Sequence, residues 1–185
     1  MTIAIPGGYG CIVADPPWSF RAGRATRIRP RYRCMSDVQI ASLPVREIAA
    51  TRALLFLWVT SAHLETGFHI ARRWGFEPKT TIVWIKMGAA GRLQIGMGSY
   101  VRCAHEIVIV CARGKQTGID RSVPSVIIAP RGEHSRKPEA LQDYAERLAP
   151  GPYCELFARR VRGGWTCWGE ALHPTTQGDL QNKEK

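Results

Sequence analysis

Short strand-like runs alternate with helical segments along this chain, and this alternation limits the possible folds more than any other feature. Runs rich in β-branched and aromatic residues cover 11–14, 53–60, 80–86, 105–113, 125–129 and 153–159. Apolar side chains recur at helical spacing over 61–75 and 137–151, and Ser36 is a suitable N-cap for a shorter helix over 36–48. The pattern predicts an α/β fold with a doubly wound sheet.

Composition predicts one globular domain with a basic surface. The chain has 185 residues, and we place the domain over 1–173 and a flexible polar tail over 174–185. Its formal charge of +11 favours nucleic acid as a partner, with a solvated basic surface as the alternative. No apolar run reaches the roughly 18 residues of a membrane span, and no signal-peptide pattern opens the chain. We therefore expect a cytoplasmic protein with no membrane partner.

The six cysteines include no C-x-x-C pair, and several lie in apolar runs such as "VIVCA" and "YCELF". This distribution predicts buried free thiols in a reducing compartment, rather than disulfides or a zinc site. Among the other candidate site residues, His63 and His69 are assigned to the scaffold. Trp58, Trp74 and Trp84 are assigned to the core.

The stretch "ADPPW" (14–18) directly follows the first strand and combines an acid, two rigid prolines and an indole. In open α/β sheets, ligands bind beyond the carboxyl ends of the strands. Asp15 and a proline carbonyl can accept hydrogen bonds from an exocyclic amine, and Trp18 offers a face for a flat base. The alternative is an ordinary proline-rich turn with a core tryptophan.

A second candidate region lies in the C-terminal half. Lys137 precedes Pro138 at the predicted start of a helix, where a cation and the helix N-terminus would both favour an anion. The following strand, "YCELF", is expected to end in the same crevice as the first strand. Such a place suits a zwitterionic ligand that contains a ribose.

Eight motifs in the same order resemble the MT-A-seventy family of S-adenosylmethionine-dependent adenine-N6 methyltransferases. In addition to "DPPW", the eight are "YRCMS", "LFLWVT", "WGF", "VWIK", "GMGSYVRCAHE", "SRKPE", "ELFARR" and "GWTCWG", and the resemblance covers about 10–172. It implies a Rossmann-like class I methyltransferase fold in permuted order, with the catalytic motif before the cofactor strand. The short chain looks like prokaryotic or phage members of the family.

The resemblance also implies roles for individual residues. Asp15 and the carbonyls of Pro16 and Pro17 would hold the amino group, with Trp18 stacked near the base. The residues expected to bind the cofactor, S-adenosylmethionine, are Asp15, Lys137, Glu155, Phe157, Arg159 and Glu170. Lys137 would meet the methionine carboxylate and Arg159 the ribose. No metal is required, and the target base must be flipped or single-stranded.

An arginine-rich segment follows the "DPPW" turn in "RAGRATRIRPRYR" (21–33). We interpret it as a mobile loop that gains order on nucleic acid, in which arginines neutralise phosphates and a tyrosine stacks on a base. The residues concerned are Arg21, Arg24, Arg27, Arg29, Arg31, Tyr32 and Arg33. A solvated basic loop is the alternative.

Several functions remain open at this point. DNA is the substrate that we expect first, and RNA adenine or the N4 amine of cytosine are alternatives within the methyltransferases. The chain could also be a catalytically silent nucleic-acid-binding partner, although the acid and the aromatic residue of the turn are both intact. Whether it forms a homodimer is left open.

Overall fold

The computed structural model describes residues 4–19, 34–88, 91–96, 98, 100–117, 119–132, 136–169 and 172. The strands are β1 (Tyr9–Ala14), β2 (Ala49–Val59), β3 (Glu77–Met87), β4 (His105–Arg113), β5 (Val126–Pro130), β6 (Tyr153–Leu156) and β7 (Trp165–Trp168). The helices are α1 (Asp37–Ala41), α2 (Val45–Ile48), α3 (Leu64–Arg73) and α4 (Ala140–Leu148), and a 3-10 turn (Ser61–His63) precedes α3.

All seven of these strands form one sheet in the order β5-β3-β4-β2-β1-β6-β7. β1 lies between β2 and β6 and is parallel to both, and β7 is parallel to β6. β4 is antiparallel to β2 and β3, whereas β3 and β5 are parallel to each other. The chain therefore has a mixed α/β fold of the Rossmann-like methyltransferase type, as the sequence predicts.

Apolar residues cover both faces of the sheet, as a doubly wound arrangement requires. On one face, Ile12 of β1 belongs to the same buried cluster as Ile70 of α3. On the other face, Val13 belongs to a second buried cluster with Leu141 and Ala145 of α4. Trp58, Trp74 and Trp84 are all buried, which confirms their assignment to the core.

The structure corrects two predicted elements. The helix predicted over 36–48 is divided into α1 and α2 around Pro44, which lacks the N–H that a continuous helix would need there. Its predicted N-cap is confirmed, since Ser36 and Gln39 form a capping box. The segment Trp165–Trp168, which the sequence left without a strand, pairs in parallel with β6.

All six cysteines are free thiols. Cys11, Cys111 and Cys154 are buried, and the other three are partly exposed. Burial raises the pKa of Cys111 and of Cys154 to about 12, so these thiols are protonated at neutral pH. No helix within the described ranges is long and apolar enough to cross a membrane.

The direction of β4 determines which residues meet at one edge of the sheet. The carboxyl ends of β1, β2 and β6 lie together, since Ala14 pairs with Leu57 and with Leu156. β4 runs in the opposite direction, and its residue Ile107 pairs with Val59 near the end of β2. The first residues of β4 therefore lie at the edge where β1 ends, and this edge holds the candidate site.

Candidate active site

The turn that follows β1 is held by backbone hydrogen bonds on both sides. The Asp15 N–H donates to the Leu156 carbonyl at 3.4 Å, and the Trp18 N–H donates to the Pro16 carbonyl at 2.9 Å. The Pro17 carbonyl accepts the Met35 N–H at 2.9 Å. Each proline carbonyl predicted to bind the amino group thus already has one partner. It keeps a second lone pair for a ligand.

Four side chains of alternating charge form a chain of ion pairs beside this turn. Lys137 Nζ lies 2.9 Å from Asp15 Oδ1 and 2.8 Å from Asp15 Oδ2. The same ammonium lies 3.2 Å from Glu106 Oε2, and Lys86 Nζ lies 2.6 Å from Glu106 Oε1. All four side chains are at most one-fifth exposed. Two carboxylates and two ammonium groups thus balance one another in a partly dehydrated crevice.

For Glu106 and Lys137, attraction to the neighbouring opposite charges outweighs the effect of burial on the pKa. Burial acts to raise the pKa of Glu106, but the charge of Lys137 and the hydrogen bonds from both lysines hold that pKa below its ordinary 4.5. Burial acts to lower the pKa of Lys137, but Asp15 and Glu106 hold it above 10.5. Glu106 and Lys137 are therefore both charged at neutral pH.

Two tryptophan rings lie beneath the two ammonium groups. Lys137 Nζ is 5.4 Å from the centre of the Trp58 ring, and Lys86 Nζ is 5.3 Å from the centre of the Trp84 ring. The two indoles contact each other edge to face, with centroids 6.0 Å apart. These distances fit cation–π contacts, so the core tryptophans also support the four paired side chains. We call these side chains, Asp15, Lys137, Glu106 and Lys86, the charged cluster.

Trp18 borders the crevice but is mostly buried. Its side chain is 5% exposed, and its Nε1–H donates to the Trp58 carbonyl at 2.9 Å. Its ring stacks on His63 with centroids 5.1 Å apart, and His63 contacts Thr60 at 2.8 Å and the Ser19 carbonyl at 3.0 Å. The indole thus forms a wall of the crevice rather than the open stacking face that the sequence suggests. His63, assigned to the scaffold, holds this wall in place.

The predicted cofactor residues at the end of β6 and just after it line a second, adjoining crevice. Glu155, Phe157 and Arg159 lie here together with Asp15 and Lys137. Gln142 of α4 donates to Glu155 at 3.0 Å, and burial raises the pKa of the Glu155 carboxyl above its ordinary value. Phe157 has a left-handed φ of 63° and packs edge to face against Trp168. The backbone of the short turn after β6 is thus constrained at the place where the cofactor is expected to bind.

Cavity volume alone would not locate this site. The crevice around the "DPPW" turn measures about 100 Å³ and the adjoining one about 20 Å³. Ligand pockets commonly measure roughly 300–1,000 Å³. A cavity of about 590 Å³ between β3, β4 and the 119–125 loop, and one of about 350 Å³ at the opposite edge of the sheet, are larger. We assign the site by its charged groups. Among the described residues, the larger of these two cavities has a single ion pair at its lining, between Asp120 and the exposed Arg147, and the other has no acidic residue in its lining.

The structure brings together Asp15, Lys137, Glu155, Phe157 and Arg159 from distant parts of the chain. Other predicted site residues lie outside the described residues, namely Arg21, Arg24, Arg27, Arg29, Arg31, Tyr32, Arg33 and Glu170.

Sequence reasoning missed two members of the charged cluster. Glu106 lies in the motif "GMGSYVRCAHE" and Lys86 in the motif "VWIK", and the sequence analysis predicts neither as a site residue. Glu106 reaches the site because β4 is antiparallel, and Lys86 lies near the carboxyl end of β3 beside it. The signal that could have revealed Glu106 is an acid in the second position of a strand that begins at the catalytic edge.

Comparisons with known proteins agree with the motifs. The model of the MT-A70 family, the family that those motifs indicated, matches residues 9–171. A putative N(6)-adenosine-methyltransferase MT-A70-like protein of Medicago truncatula is 32% identical over 174 residues, which are 91% of this chain and 27% of that protein. The human N(6)-adenine-specific methyltransferase METTL4 is 29% identical over 181 residues, covering 89% of this chain and 37% of METTL4.

The human N(6)-adenosine-methyltransferase catalytic subunit METTL3 is 28% identical over 178 residues, which cover 93% of this chain and 30% of METTL3. The chain thus spans about a quarter to a little over a third of the length of these relatives. They come from a plant and from humans, and they do not support the prokaryotic or phage origin that the short chain suggests.

Proposed function

Because the chain belongs to the MT-A70 family, we propose that it transfers a methyl group from S-adenosylmethionine to the N6 amine of adenine in nucleic acid. DNA is the substrate we expect first, and RNA is the alternative. The observation that carries the proposal is the position of the Asp15 carboxylate. It lies directly after the central parallel strand, at the crevice where β1, β2 and β6 end, and is oriented by Lys137.

The charged groups of the two crevices fit the cofactor. S-adenosylmethionine supplies a methyl group on a sulfonium and also has a carboxylate, an ammonium and a ribose diol. Lys137 offers a cation for the carboxylate, and Glu155 offers acceptor oxygens for the hydroxyls or the ammonium. Arg159, in the same crevice, is expected to approach the ribose. Alternating charges of both signs match a ligand that is itself zwitterionic.

The crevices must widen when ligands bind, and the charged cluster can allow this by a change of partner at Lys137. Lys137 is shared between Asp15 and Glu106, so a ligand carboxylate can replace one of these partners. Glu106 would remain neutralised by Lys86. A shift of the Lys137 side chain would thus open the crevice without leaving a buried charge unpaired.

Asp15 is suited to position the target amine. Each carboxylate oxygen accepts from Lys137 and has a further lone pair for an adenine N6–H. The Pro16 carbonyl can accept the second N–H. Two such acceptors would draw the nitrogen towards sp³ geometry and free the lone pair that is otherwise delocalised into the ring. Correct positioning of reactants can lower a barrier by roughly 7–11 kcal/mol in favourable cases.

Asp15 does not need to be a strong base. Both oxygens of Asp15 accept hydrogen bonds from the Lys137 ammonium, which fixes the carboxylate for holding the amine. The amine gains acidity only after it has received the methyl group and become cationic. At that stage Asp15 or water can take the proton. The chemistry therefore depends on orientation more than on proton abstraction.

The test is methyl transfer from labelled S-adenosylmethionine to matched DNA and RNA oligonucleotides, followed by identification of the modified nucleoside. We expect N6-methyladenine with the wild type, and a loss of about two orders of magnitude or more with Asp15→Ala and Asp15→Asn. The fold should survive because Lys137 keeps Glu106 as its counter-ion. Asp37→Asn, on the exposed start of α1, is the matched control.

Near wild-type turnover by folded Asp15→Ala would exclude the mechanism. A methylated cytosine would instead point to the N4 alternative. The ratio of product on DNA to product on RNA decides the substrate class. Binding of an oligonucleotide without methyl transfer by the wild type would support the silent-partner alternative.

A further inference from the structure

The loop between β3 and β4 presents an unusual set of apolar side chains to solvent. Tyr100 is 101% exposed, and Leu93, Ile95 and Val101 are each more than half exposed. Such a cluster on one short segment is more than the scattered apolar residues of an ordinary surface, and it indicates a binding surface. We call this part of the chain, over 91–96, 98 and 100–103, the apolar loop.

Backbone bonds give the apolar loop a defined shape at its base. Gln94 N–H donates to the Lys86 carbonyl and Lys86 N–H donates to the Ala104 carbonyl, at 2.8 and 2.9 Å. Gly96 N–H donates to the Cys103 carbonyl at 2.8 Å. A Cβ atom at Gly98 would overlap the Val101 carbonyl, so this part of the loop turns too tightly for any other residue.

The base of the apolar loop is continuous with the candidate active site. The backbone carbonyl and N–H of Lys86 form two of the hydrogen bonds at the base of the apolar loop. The side chain of the same residue pairs with Glu106 in the charged cluster. Glu106 in turn contacts Lys137. The apolar loop therefore extends from the edge of the sheet at which the target base must enter.

The charge of the apolar loop suits a polyanion. Arg92 and Arg102 are exposed and flank the apolar side chains. The sequence from 88 to 104 contains no acidic residue, and the whole chain has a net charge of +11. An aromatic ring beside arginines is the combination that binds single-stranded nucleic acid, in which bases stack and phosphates are neutralised.

We propose that the apolar loop holds the bases beside the target adenine in an unstacked state, with Tyr100 stacked on one of them. This inference rests on the proposed function, because removing an adenine from its stack exposes the apolar faces of its neighbours. Leu93, Ile95 and Val101 can cover such faces, as apolar wedges do in other nucleic-acid-binding proteins. Arg92 and Arg102 neutralise the adjoining phosphates.

The test compares Tyr100→Ala with Tyr100→Phe, which keeps a stacking ring. The probes are fluorescein-labelled twelve-nucleotide homopolymers of deoxyadenosine and of adenosine, and affinity is measured by anisotropy at fixed salt. We expect Tyr100→Ala to lower affinity about 5- to 100-fold, the effect of losing one base–aromatic stack. Tyr100→Phe should stay within about twofold of the wild type. Val38→Ala, an exposed apolar residue on α1, is the matched control.

Unchanged affinity of Tyr100→Ala on both probes would overturn the proposal. So would sedimentation showing that Tyr100→Ala dissociates a wild-type oligomer, because the apolar loop would then be a protein interface. Cofactor affinity, measured by calorimetry, should not change. The failure of the proposed function is a separate result: the wild type would bind the probes in a Tyr100-dependent way but methylate neither.

Discussion

Lys137 contacts two carboxylates, those of Asp15 and Glu106. This arrangement determines what is lost when Asp15 or Lys137 is substituted. Removing Asp15 leaves Lys137 paired with Glu106, whereas removing Lys137 leaves Glu106 with Lys86 and takes away the ammonium that contacts Asp15. Loss of a hydrogen-bonded charge in a partly buried place costs about 1.5–3 kcal/mol. Asp15 substitutions therefore report on chemistry, while Lys137 substitutions combine lost cofactor binding with lost stability.

Glu106 makes the stability of the protein depend on pH. Its pKa in the folded state lies below the ordinary 4.5, so its contribution is complete above that pH and is lost as pH falls through the folded value. The pKa of Lys137 is raised, so its contribution is complete below 10.5 and is lost as pH rises through the folded value. The cluster is therefore intact throughout the neutral range.

We expect Glu106→Gln to lower the free energy of unfolding at pH 7 by about 1.5–3 kcal/mol, because a charged hydrogen bond is lost. The difference from the wild type should shrink as pH falls below about 4.5 and through the folded-state pKa of Glu106, since the wild type also loses the negative charge. Urea unfolding at pH 7, 5, 4 and 3 measures this. Glu65→Gln, on the exposed side of α3, serves as the control. A difference that stays constant with pH would mean that Glu106 contributes through packing.

At the scale of elements, local patterns predicted the strands, but contacts between elements decided the rest. β1 and β4 were predictable because each is an apolar run that contains consecutive β-branched residues, two in β1 and four in β4. β7 was not, because a four-residue strand exists only through its pairing with β6. Asp15 could be placed from its position after a strand, whereas the role of Glu106 depends on the antiparallel direction of β4, which no local pattern specifies.

The packing of α3 on the sheet supports the wall of the site and can be tested. A Cβ atom at Gly67 would lie 2.6 Å from Val59 Cγ1 and 2.9 Å from Ile109 Cδ1. The stiff, buried valine cannot move aside freely. Overpacking costs about 1–3 kcal/mol, against a gain of about 0.5–1 kcal/mol in helix propensity. We therefore expect Gly67→Ala to lower the free energy of unfolding by about 1 kcal/mol.

Gly163→Ala is the control for this prediction, because no atom lies within 4 Å of a Cβ atom at that position. Its effect should stay within about 0.5 kcal/mol, as at other surface positions. Chemical unfolding at pH 7 measures both variants. Gly67→Ala as stable as the wild type would show that α3 can shift outwards. The Thr60–His63 segment directly precedes α3 and holds Trp18, so the contact with Trp18 would then have to tolerate the shift of α3.

At the scale of the whole molecule, the positive charge is not confined to the arginine-rich segment 21–33. Arg52 at the start of β2, Arg73 at the end of α3 and Lys115 after β4 are exposed at the edge opposite the candidate site. The arginines of 21–33 follow the "DPPW" turn in the chain. A charge of +11 alone therefore does not say which surface attracts nucleic acid. Two sets of substitutions with the same change in charge can distinguish the segment 21–33 from the basic residues at the opposite edge.

We predict that Arg27, Arg29 and Arg31 contact phosphates, so that replacing all three with alanine weakens binding to many sequences alike. Each neutralised phosphate releases counterions, so the slope of log affinity against log salt should fall by about 2–3 units. The triple variant of Arg52, Arg73 and Lys115 should leave the slope almost unchanged. Anisotropy titrations of one oligonucleotide at several salt concentrations measure the slope. If both triple variants lower it equally, the arginines act only through net charge, and the segment after the turn has no particular contact with the substrate.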